Sequence, residues 1–400
     1  MRKKVCICDL GTIITGKTPS KTNKSYYGDY VAFIKPTDIS EDSKFTYETE
    51  EMFSKLAAEK YKSSLVPKGA ICVPCIGTIG TKMTMTHCAC YTNQSINTII
   101  CNENYDNEYV YYLIKNFLPG LKSYNLGTAS GREYVSKSNF EKIEIIAEQD
   151  KCIQVKISTV LSRYDSLIEN YQKQIKLLEE AAQRLYKEWF VDLHFPGHEK
   201  TKIVDGVPEG WDKKNVAKVG DVITGKTPSK VNNANFGCDI PFITIPDMHN
   251  GIYPTNSQYL SKFGADSQSR KYIPANSLIV SCIGTAGLVC ITKELCQTNQ
   301  QINSLILKDG SLLYYMYFLF LSLKEHLENI GSNGATMTNV NKSKFESIEI
   351  IIPNKVLTNN FHTKVKDNFS KILRLYNQIS LLTEARDRLL PRLMNGEIEV

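Results

Sequence analysis

The chain has 400 residues, of which 42% are hydrophobic and 22% are charged, and its formal net charge is +6. This length and composition are typical of a soluble chain with two globular domains, and the mild charge permits a polyanionic partner without requiring one. The longest apolar run, residues 312–321, is about half of a bilayer span, and residues 1–9 hold too few apolar residues for a signal peptide, so we expect a cytoplasmic protein with no membrane partner.

The first half of the chain recurs in the second half. The repeated segments are Thr-Gly-Lys-Thr-Pro-Ser-Lys, Cys-Ile-Gly-Thr and Thr-Asn-Gln, at residues 15–21, 75–78 and 92–94 and again at 224–230, 282–285 and 298–300. The separation between copies shrinks from 209 residues (15 against 224) to 204 residues (175 against 379). This ordered duplication indicates two homologous globular domains, each followed by a helix.

Each half also carries the same predicted elements. Buried strands are predicted at 70–73, 96–100, 277–280 and 302–307, and helices at 108–117 and 312–327. Strands and helices mixed in this order predict an α/β (mixed α+β) fold for each domain.

A long helix is predicted over residues 157–189. Steps of four and three residues from Ile157 meet only apolar residues, which form the seam Ile157, Leu161, Tyr164, Ile168, Tyr171, Ile175, Leu178, Ala182, Leu185 and Trp189. Charged and amide residues lie between the seam positions, and no Pro or Gly interrupts the run. The helix therefore needs a partner to cover its seam.

The last forty residues repeat this helix and supply the partner. Their seam contains Val365, Ile372, Leu375, Ile379, Leu382, Leu389 and Leu393. Asn368 and Arg386 add polar groups, which lower stability but can fix register. We predict that Pro391 ends or kinks the helix near Leu390.

One repeated motif satisfies the phosphate-loop pattern G-x4-G-K-T, at residues 11–18 and 220–227. Pro19 and Pro228 follow at once, and the next stretch has no apolar periodicity to form the required helix. A Gly/Pro turn between strands is the favoured interpretation. A tandem nucleotide hydrolase and a coiled-coil scaffold that binds only proteins are the alternative functions.

The cysteines offer a possible metal site at Cys72, Cys75, Cys88 and Cys90. The repeat counterpart of Cys72 is Ile279, and an apolar residue in place of a ligand favours buried strand thiols. We expect no metal site and no resident cofactor. No Ser/His/Asp group or paired-carboxylate signature indicates catalysis in this chain.

Several segments together resemble the specificity subunit of type I restriction-modification enzymes. They are Leu-Tyr-Lys-Glu-Trp-Phe-Val-Asp-Leu and Phe-Pro-Gly at 185–193 and 195–197, the terminal residues 382–394 with Gly-Glu-Ile at 396–398, and the twin Thr-Gly-Lys-Thr-Pro segments. The resemblance implies a non-catalytic subunit in which two target-recognition domains each read half of a split double-stranded DNA sequence. An antiparallel coiled coil of the two helices would separate them and set the spacer.

The resemblance also implies the partners. Two methyltransferase subunits dock around the helices, and a motor-nuclease (restriction) subunit can join. S-adenosylmethionine, ATP and Mg would belong to those subunits. The expected divisions are a first target-recognition domain at 1–149, a central helix at 150–194, a second target-recognition domain at 195–353 and a C-terminal helix at 354–400. Met1 aligns with Gly210, so we expect a few edge residues to be missing from the first domain.

Residues identical in both halves cannot distinguish two different half-sites, so we expect them to be scaffold or phosphate contacts. The lysines of this class are Lys17, Lys21, Lys137, Lys226, Lys230 and Lys342. Residues that differ are the candidates for base reading: Arg132 against Met337, Tyr134 against Asn339, and Ser136 against Asn341. The alternatives are solvated surface lysines and an ordinary variable loop.

The remaining candidates concern helix pairing and subunit docking. They are Ile168, Tyr171, Ile175, Leu178, Leu185, Trp189, Phe190, Ile379, Leu382 and Leu389. We expect Trp189 and Phe190 to pack against a docking subunit or the base of a domain. The repeated amides Asn93, Gln94, Asn299 and Gln300 are interpreted as a structural turn because they are identical in both halves.

Overall fold

The computed structural model describes residues 1–77, 79–125, 133–249, 251–332 and 338–400. The chain divides into two units. The first comprises Met1–Lys173 and Tyr376–Val400, and the second comprises Gln174–Leu375. Each unit therefore contains one copy of the repeat together with part of both long helices.

The first unit contains nine described strands and the start of the central helix. The strands are β1 (Arg2–Cys6), β2 (Gly11–Thr15), β3 (Tyr27–Ile34), β4 (Glu51–Phe53), β5 (Ile71–Pro74), β6 (Thr84–Met85), β7 (Tyr91–Thr92), β8 (Ile96–Cys101) and β9 (Glu144–Glu148). The helices are α1 (Lys55–Lys60), α2 (Asn107–Phe117), α3 (Lys137–Glu141) and α4 (Lys151–Tyr186). The strands form a four-stranded sheet β2-β8-β5-β6, a three-stranded sheet β4-β3-β7 and the pair β1-β9.

The second unit repeats this plan. Its strands are β10 (Ile203–Val204), β11 (Val207–Pro208), β12 (Asp212–Asn215), β13 (Gly220–Thr224), β14 (Phe236–Ile243), β15 (Tyr259–Leu260), β16 (Leu278–Ser281), β17 (Val289–Ile291), β18 (Gln297–Thr298), β19 (Ile302–Leu307) and β20 (Glu349–Ile352). Its helices are α5 (Val216–Val219), α6 (Lys262–Asp266), α7 (Leu313–Ser322), α8 (Lys324–Ser332), α9 (Lys342–Glu346) and the start of α10 (Lys355–Asn395). The sheets β13-β19-β16-β17 and β15-β14-β18 and the pair β12-β20 match those of the first unit, and β10-β11 is an added hairpin.

The mixed α/β fold of each half is confirmed. The predicted strands appear as β5, β8, β16 and β19, and the predicted helix at 108–117 appears as α2. The helix predicted at 312–327 is instead divided at Leu323, whose N–H donates to the carbonyl oxygens of Leu319 and Phe320. Leu327, which follows this turn, is fully buried in the core. None of the described helices combines the length and apolar character that a membrane span requires.

The two long helices run antiparallel within each unit. In the first unit, Ile157 and Leu161 of α4 share a hydrophobic cluster with Leu390 and Leu393 of α10, so the start of one helix faces the end of the other. In the second unit, the ring of Phe361 near the start of α10 lies 5.0 Å from that of Phe190, in the turn Lys187–Val191 that follows α4. The predicted antiparallel pair is therefore confirmed.

The seam positions differ in burial. Six of the ten predicted seam positions are buried: Ile157, Leu161, Ile168, Ile175 and Ala182 of α4, and Trp189 in the turn after it. The half-buried seam residues are Tyr164, Tyr171, Leu178 and Leu185 of α4 and Ile379, Leu382 and Leu389 of α10. Alternate burial of this kind is expected where two helices pack along a narrow apolar stripe.

Pro391 does not end α10, so the first of the two predicted outcomes is wrong. The helix continues to Asn395, with Pro391 inside it. Pro391 has no N–H to donate, but Leu393 and Met394 beyond it are buried in the core of the first unit, and this burial supports the last turn. The helix ends before Gly396, whose φ of 80° allows the chain to turn away.

The polar seam residue Arg386 lies in a buried ion pair in the first unit. Its Nη1 atom is 2.5 Å from Oδ1 of Asp165, and their side chains are 8% and 9% exposed. The Tyr112 hydroxyl donates to Oδ2 of Asp165, and Arg386 Nε donates to Asp387 at 2.9 Å. Burial alone lowers the pKa of Arg386, but the carboxylates of Asp165 and Asp387 outweigh it and raise the pKa above its ordinary value.

We predict that Arg386→Ala destabilises the protein by about 3–5 kcal/mol, because it leaves the buried Asp165 carboxylate without a counter-charge. Replacing both partners with Asp165→Leu and Arg386→Met should restore most of the loss. Urea unfolding followed by circular dichroism measures both effects. The control is Arg388→Ala. The Arg388 side chain is 80% exposed and pairs with Glu384, so its removal should destabilise the protein by under about 1 kcal/mol. Equal losses for Arg386→Ala and Arg388→Ala would contradict the prediction.

A second prediction concerns Glu179 of α4, whose Oε1 is buried without a hydrogen-bond partner among the described residues. Burial raises its pKa from 4.5 to about 7. Between these values the folded state keeps the proton and the unfolded state has lost it, so stability falls as pH rises through this window. Glu179→Gln should therefore raise the unfolding temperature at pH 8 and have little effect at pH 5. Glu180→Gln is the control, and equal shifts for Glu179→Gln at the two pH values would refute the prediction.

Candidate nucleic-acid interface

The Thr-Gly-Lys-Thr-Pro-Ser-Lys segments at 15–21 and 224–230 follow β2 and β13, and we call each a basic loop. In the first, the N–H groups of Gly16 and Lys17 donate to the carbonyl oxygens of Ile96 and Thr92 at 3.1 and 2.9 Å. In the second, the N–H groups of Gly225 and Lys226 donate to Ile302 and Thr298 at 3.0 and 2.9 Å. Both loops are therefore attached to their sheets by the same bonds.

These attachments explain the glycine in each basic loop. A Cβ atom at Gly16 would lie 2.1 Å from the carbonyl oxygen of Thr92, and one at Gly225 would lie 2.1 Å from that of Asn299. No side chain fits so close to backbone, so only glycine allows the loop to approach the turn beside it. A packing requirement accounts for this glycine without any phosphate.

The loop geometry also disagrees with a phosphate loop. The N–H groups of Gly16 and Lys17 are already bonded to strand carbonyls, whereas a phosphate loop turns such groups towards its ligand. The hydroxyl groups of Thr18 and Thr227, which would hold magnesium, donate to Gln94 and Gln300. No α-helix begins directly after either loop in the part of the chain that the structure describes. The tandem nucleotide hydrolase thus lacks structural support.

The repeated amides lie in turns beside the basic loops. The side-chain oxygens of Asn93 and Asn299 accept the N–H groups of Ser95 and Gln301 at 3.0 and 3.1 Å, closing each turn on itself. The side-chain oxygens of Gln94 and Gln300 accept hydrogen bonds from the hydroxyl groups of Thr18 and Thr227. These bonds agree with the interpretation of a structural turn.

The segments compared for base reading, residues 127–140 and 331–345, are called the variable loops. A Cys-Ile-Gly turn joins the amide turn to the variable loop of each unit. In the first unit, Cys75 N–H donates to Ser95 at 2.7 Å, and Val135 N–H donates back to Cys75 at 2.9 Å. In the second unit, Cys282 N–H donates to Gln301 at 2.8 Å, and Val340 N–H donates to Cys282 at 2.9 Å. In each unit we call this continuous set, formed by the basic loop, the amide turn, the Cys-Ile-Gly turn and the end of the variable loop, the loop edge.

The candidate lysines all lie on exposed parts of these loop edges. The side chains of Lys17, Lys21, Lys226 and Lys230 are exposed. The Nζ atom of Lys21 lies 3.9 Å from Oε1 of Glu51. Lys137 and Lys342 begin α3 and α9, and each pairs at 3.5 Å with the glutamate four residues on, Glu141 or Glu346. Exposed pairs of this kind are weak and leave an ammonium able to exchange its carboxylate for a phosphate.

The variable loops are described only at their ends. Arg132 and its counterpart Met337 lie outside the described residues. Tyr134 is half-buried, and its N–H donates to Asn125 Oδ1 at 2.8 Å. Asn339 and Asn341 are exposed. Asn341 Oδ1 caps α9 by accepting the N–H of Lys344 at 2.9 Å, which leaves the side-chain amide nitrogen as its available donor.

Sequence reasoning missed a further element of this region, a short serine-capped helix. Ser54-Lys55-Leu56-Ala57-Ala58 corresponds to Ser261-Lys262-Phe263-Gly264-Ala265, 207 residues later. The serine oxygens cap α1 and α6 by accepting the N–H groups of Ala57 and Gly264 at 3.3 and 3.0 Å. Ser54 N–H also donates to Tyr26, and Ser261 N–H to Asn235, just beyond the basic loops. The repeated Ser-Lys-x-x-Ala was the signal that could have revealed this helix.

Trp189 and Phe190 pack against the base of the second domain, one of the two expected places. The ring of Phe190 lies 4.8 Å from that of Tyr315 and 6.0 Å from that of Trp211, and that of Trp189 lies 6.1 Å from that of Phe361. Both residues are therefore part of the second unit's own core.

The four cysteines considered as metal ligands have different environments. Cys72, Cys75 and Cys90 are buried, and Cys88 is exposed. Burial raises the pKa of both the Cys72 and the Cys75 thiol to about 12, so these groups stay protonated at neutral pH. The burial of Cys72, Cys75 and Cys90 agrees with the interpretation of buried strand thiols.

Comparison with known proteins finds the same duplication. The family model described as the type I restriction modification DNA specificity domain matches residues 2–180 and 208–381. The type I restriction enzyme HindI specificity subunit of Haemophilus influenzae is 38% identical over 315 residues, which cover 62% of this chain and 68% of that protein. The MjaIX specificity subunit of Methanocaldococcus jannaschii is 28% identical over 409 residues, covering 98% and 93%.

A solved structure shares the fold. The type I restriction-modification system S subunit from M. genitalium aligns with a TM-score of 0.61 and 16% identity, covering 98% of this chain and 96% of that one.

Proposed function

The chain belongs to the type I restriction modification DNA specificity family, and we propose on that basis that it reads a bipartite double-stranded DNA target for a type I restriction-modification complex. Each domain reads one half of the target through its loop edge. The chain itself is non-catalytic. Methyltransferase subunits and a restriction subunit perform the chemistry and hold S-adenosylmethionine, ATP and Mg.

The duplicated loop edge is the observation that carries this proposal. The two edges share their backbone bonds and their lysines, while the residues of the variable loops differ. Phosphates are the same in every DNA sequence and bases are not, so a DNA reader needs a constant cationic frame that carries variable side chains. A scaffold that binds only proteins has no need of lysines repeated in this way.

We propose further that α4 and α10 set the spacing between the half-sites and dock two methyltransferase subunits. The 36 residues of α4 span about 54 Å at ~1.5 Å per residue, which is more than the ~35 Å of one DNA turn. The candidates for pairing and docking remain the half-buried or partly exposed seam residues, among them Tyr171, Leu178, Ile379 and Leu382.

The lysines provide the first test. In the complex with its methyltransferase subunits, Lys17→Ala and Lys226→Ala should each weaken DNA binding similarly for all sequences and reduce the slope of log K against log salt by about 1. Fluorescence anisotropy at several salt concentrations measures this slope. The control is Lys173→Ala, which removes an exposed charge from α4 that pairs with Glu169 at 2.7 Å. Slopes that do not change in the basic-loop variants would contradict the proposed interface.

Helix length provides the second test. Removing one heptad from α4 and the facing heptad from α10 shortens the pair by about 10 Å, or ~3 base pairs. The methylated target should keep both half-sites and change only its spacer. Methylome sequencing of cells that carry either form gives the result directly, and an unchanged spacer would refute the ruler mechanism.

A further inference from the structure

The serine-capped helices α1 and α6 each expose one large apolar residue. Leu56 is 52% exposed and Phe263 is 63% exposed. The neighbouring residues Ala57 and Ala265 are fully buried and attach each helix to its domain, so neither Leu56 nor Phe263 is needed for packing. A single exposed apolar residue is common on protein surfaces, but this one recurs at the same place in both copies, and the recurrence is the observation that needs an explanation.

Residues that flank the helix contact the basic loop in both units. In the second unit, the side chains of Gln268 and Lys271 donate to the carbonyl oxygens of Lys226 and Thr224 at 2.9 and 2.8 Å. In the first unit, Lys21 of the basic loop lies 3.9 Å from Glu51, which precedes the helix in β4. A surface that meets phosphates through the basic loop therefore brings the helix near the same duplex.

Each of these helices begins with one residue that is identical in both halves and one that differs, as in the loop edge. Lys55 and Lys262 are identical and exposed, which suits a phosphate contact. The next residue differs between the halves, Leu56 against Phe263, which suits a contact that depends on sequence. Apolar side chains read one feature of the major groove, the 5-methyl group of thymine.

We propose that Leu56 and Phe263 are specificity-determining residues, each packing against a thymine methyl group in the half-site that its own domain reads. This inference rests on the proposed function. It adds α1 and α6 to the reading surface, beyond the variable loops.

The test uses the complete complex with methyltransferase subunits and its methylated target, mapped by methylome sequencing. Each thymine of a synthetic duplex is replaced in turn by deoxyuridine, which removes only the methyl group. In each half-site, one replacement should weaken binding by about fourfold, the value of one buried methyl group. Leu56→Ala should abolish the effect of deoxyuridine on binding in one half-site only. Phe263→Ala should abolish it in the other half-site only.

The control is Ile203→Ala, a 59% exposed apolar residue in the hairpin strand β10, which should leave both sensitivities unchanged. Thermal unfolding verifies that each variant is folded. If Lys226→Ala alters the salt dependence but neither apolar variant changes a sensitivity to deoxyuridine, this inference is overturned and the proposed function stands. A half-site without thymine on either strand would also overturn it. If the lysine variants have no effect either, the proposed function fails as well.

Discussion

The apolar seam between α4 and α10 is the interaction on which both units depend. In the first unit, Ile157 and Leu393 belong to the same cluster as Ile71 and Val73 of the central sheet, so the helix ends are part of the domain core. In the second unit, Phe190 connects the end of the central helix to the core in a similar way. A domain therefore cannot turn independently of the helix segments that form part of its core.

The seam is chemically different in the two units. The first unit buries the ion pair of Asp165 and Arg386, completed by the hydroxyl of Tyr112. The repeat counterparts in the second unit, at offsets of 204 and 206 residues, are all apolar and buried: Phe369, Ala182 and Phe318. Exchanging the two ends of the helix pair, or sliding one helix by a heptad, would therefore separate Arg386 from Asp165. Each would then be a buried charge without its partner, which is strongly unfavourable. The charged pair makes one antiparallel arrangement the stable one, even though the two helices are repeats of each other.

Periodic features were predictable from sequence, and features that depend on tertiary contacts were not. The strands β5 and β16 and the seam of α4 follow from the spacing of apolar residues alone. Each pattern also occurs twice, because the sequence is duplicated. The continuation of α10 past Pro391 depends on burial of Leu393, which no local rule contains. Among the candidate site residues, the sequence indicated the lysines through their identity in both halves, but not that Asn341 would be occupied as a helix cap. The helices α1 and α6, with six and five residues, are too short to produce a periodic signal.

The same backbone hydrogen bonds hold the loop edge in both units. Gly16 and Gly225, with the turns beside them, use backbone atoms for the bonds that hold each loop edge, and the two sets are the same in both units. The residues that differ, such as Tyr134 against Asn339, join this frame through backbone bridges to Ile76 and Ile283 and add only their side chains. The bridges themselves use only backbone atoms, so they are the same for Tyr134 and for Asn339.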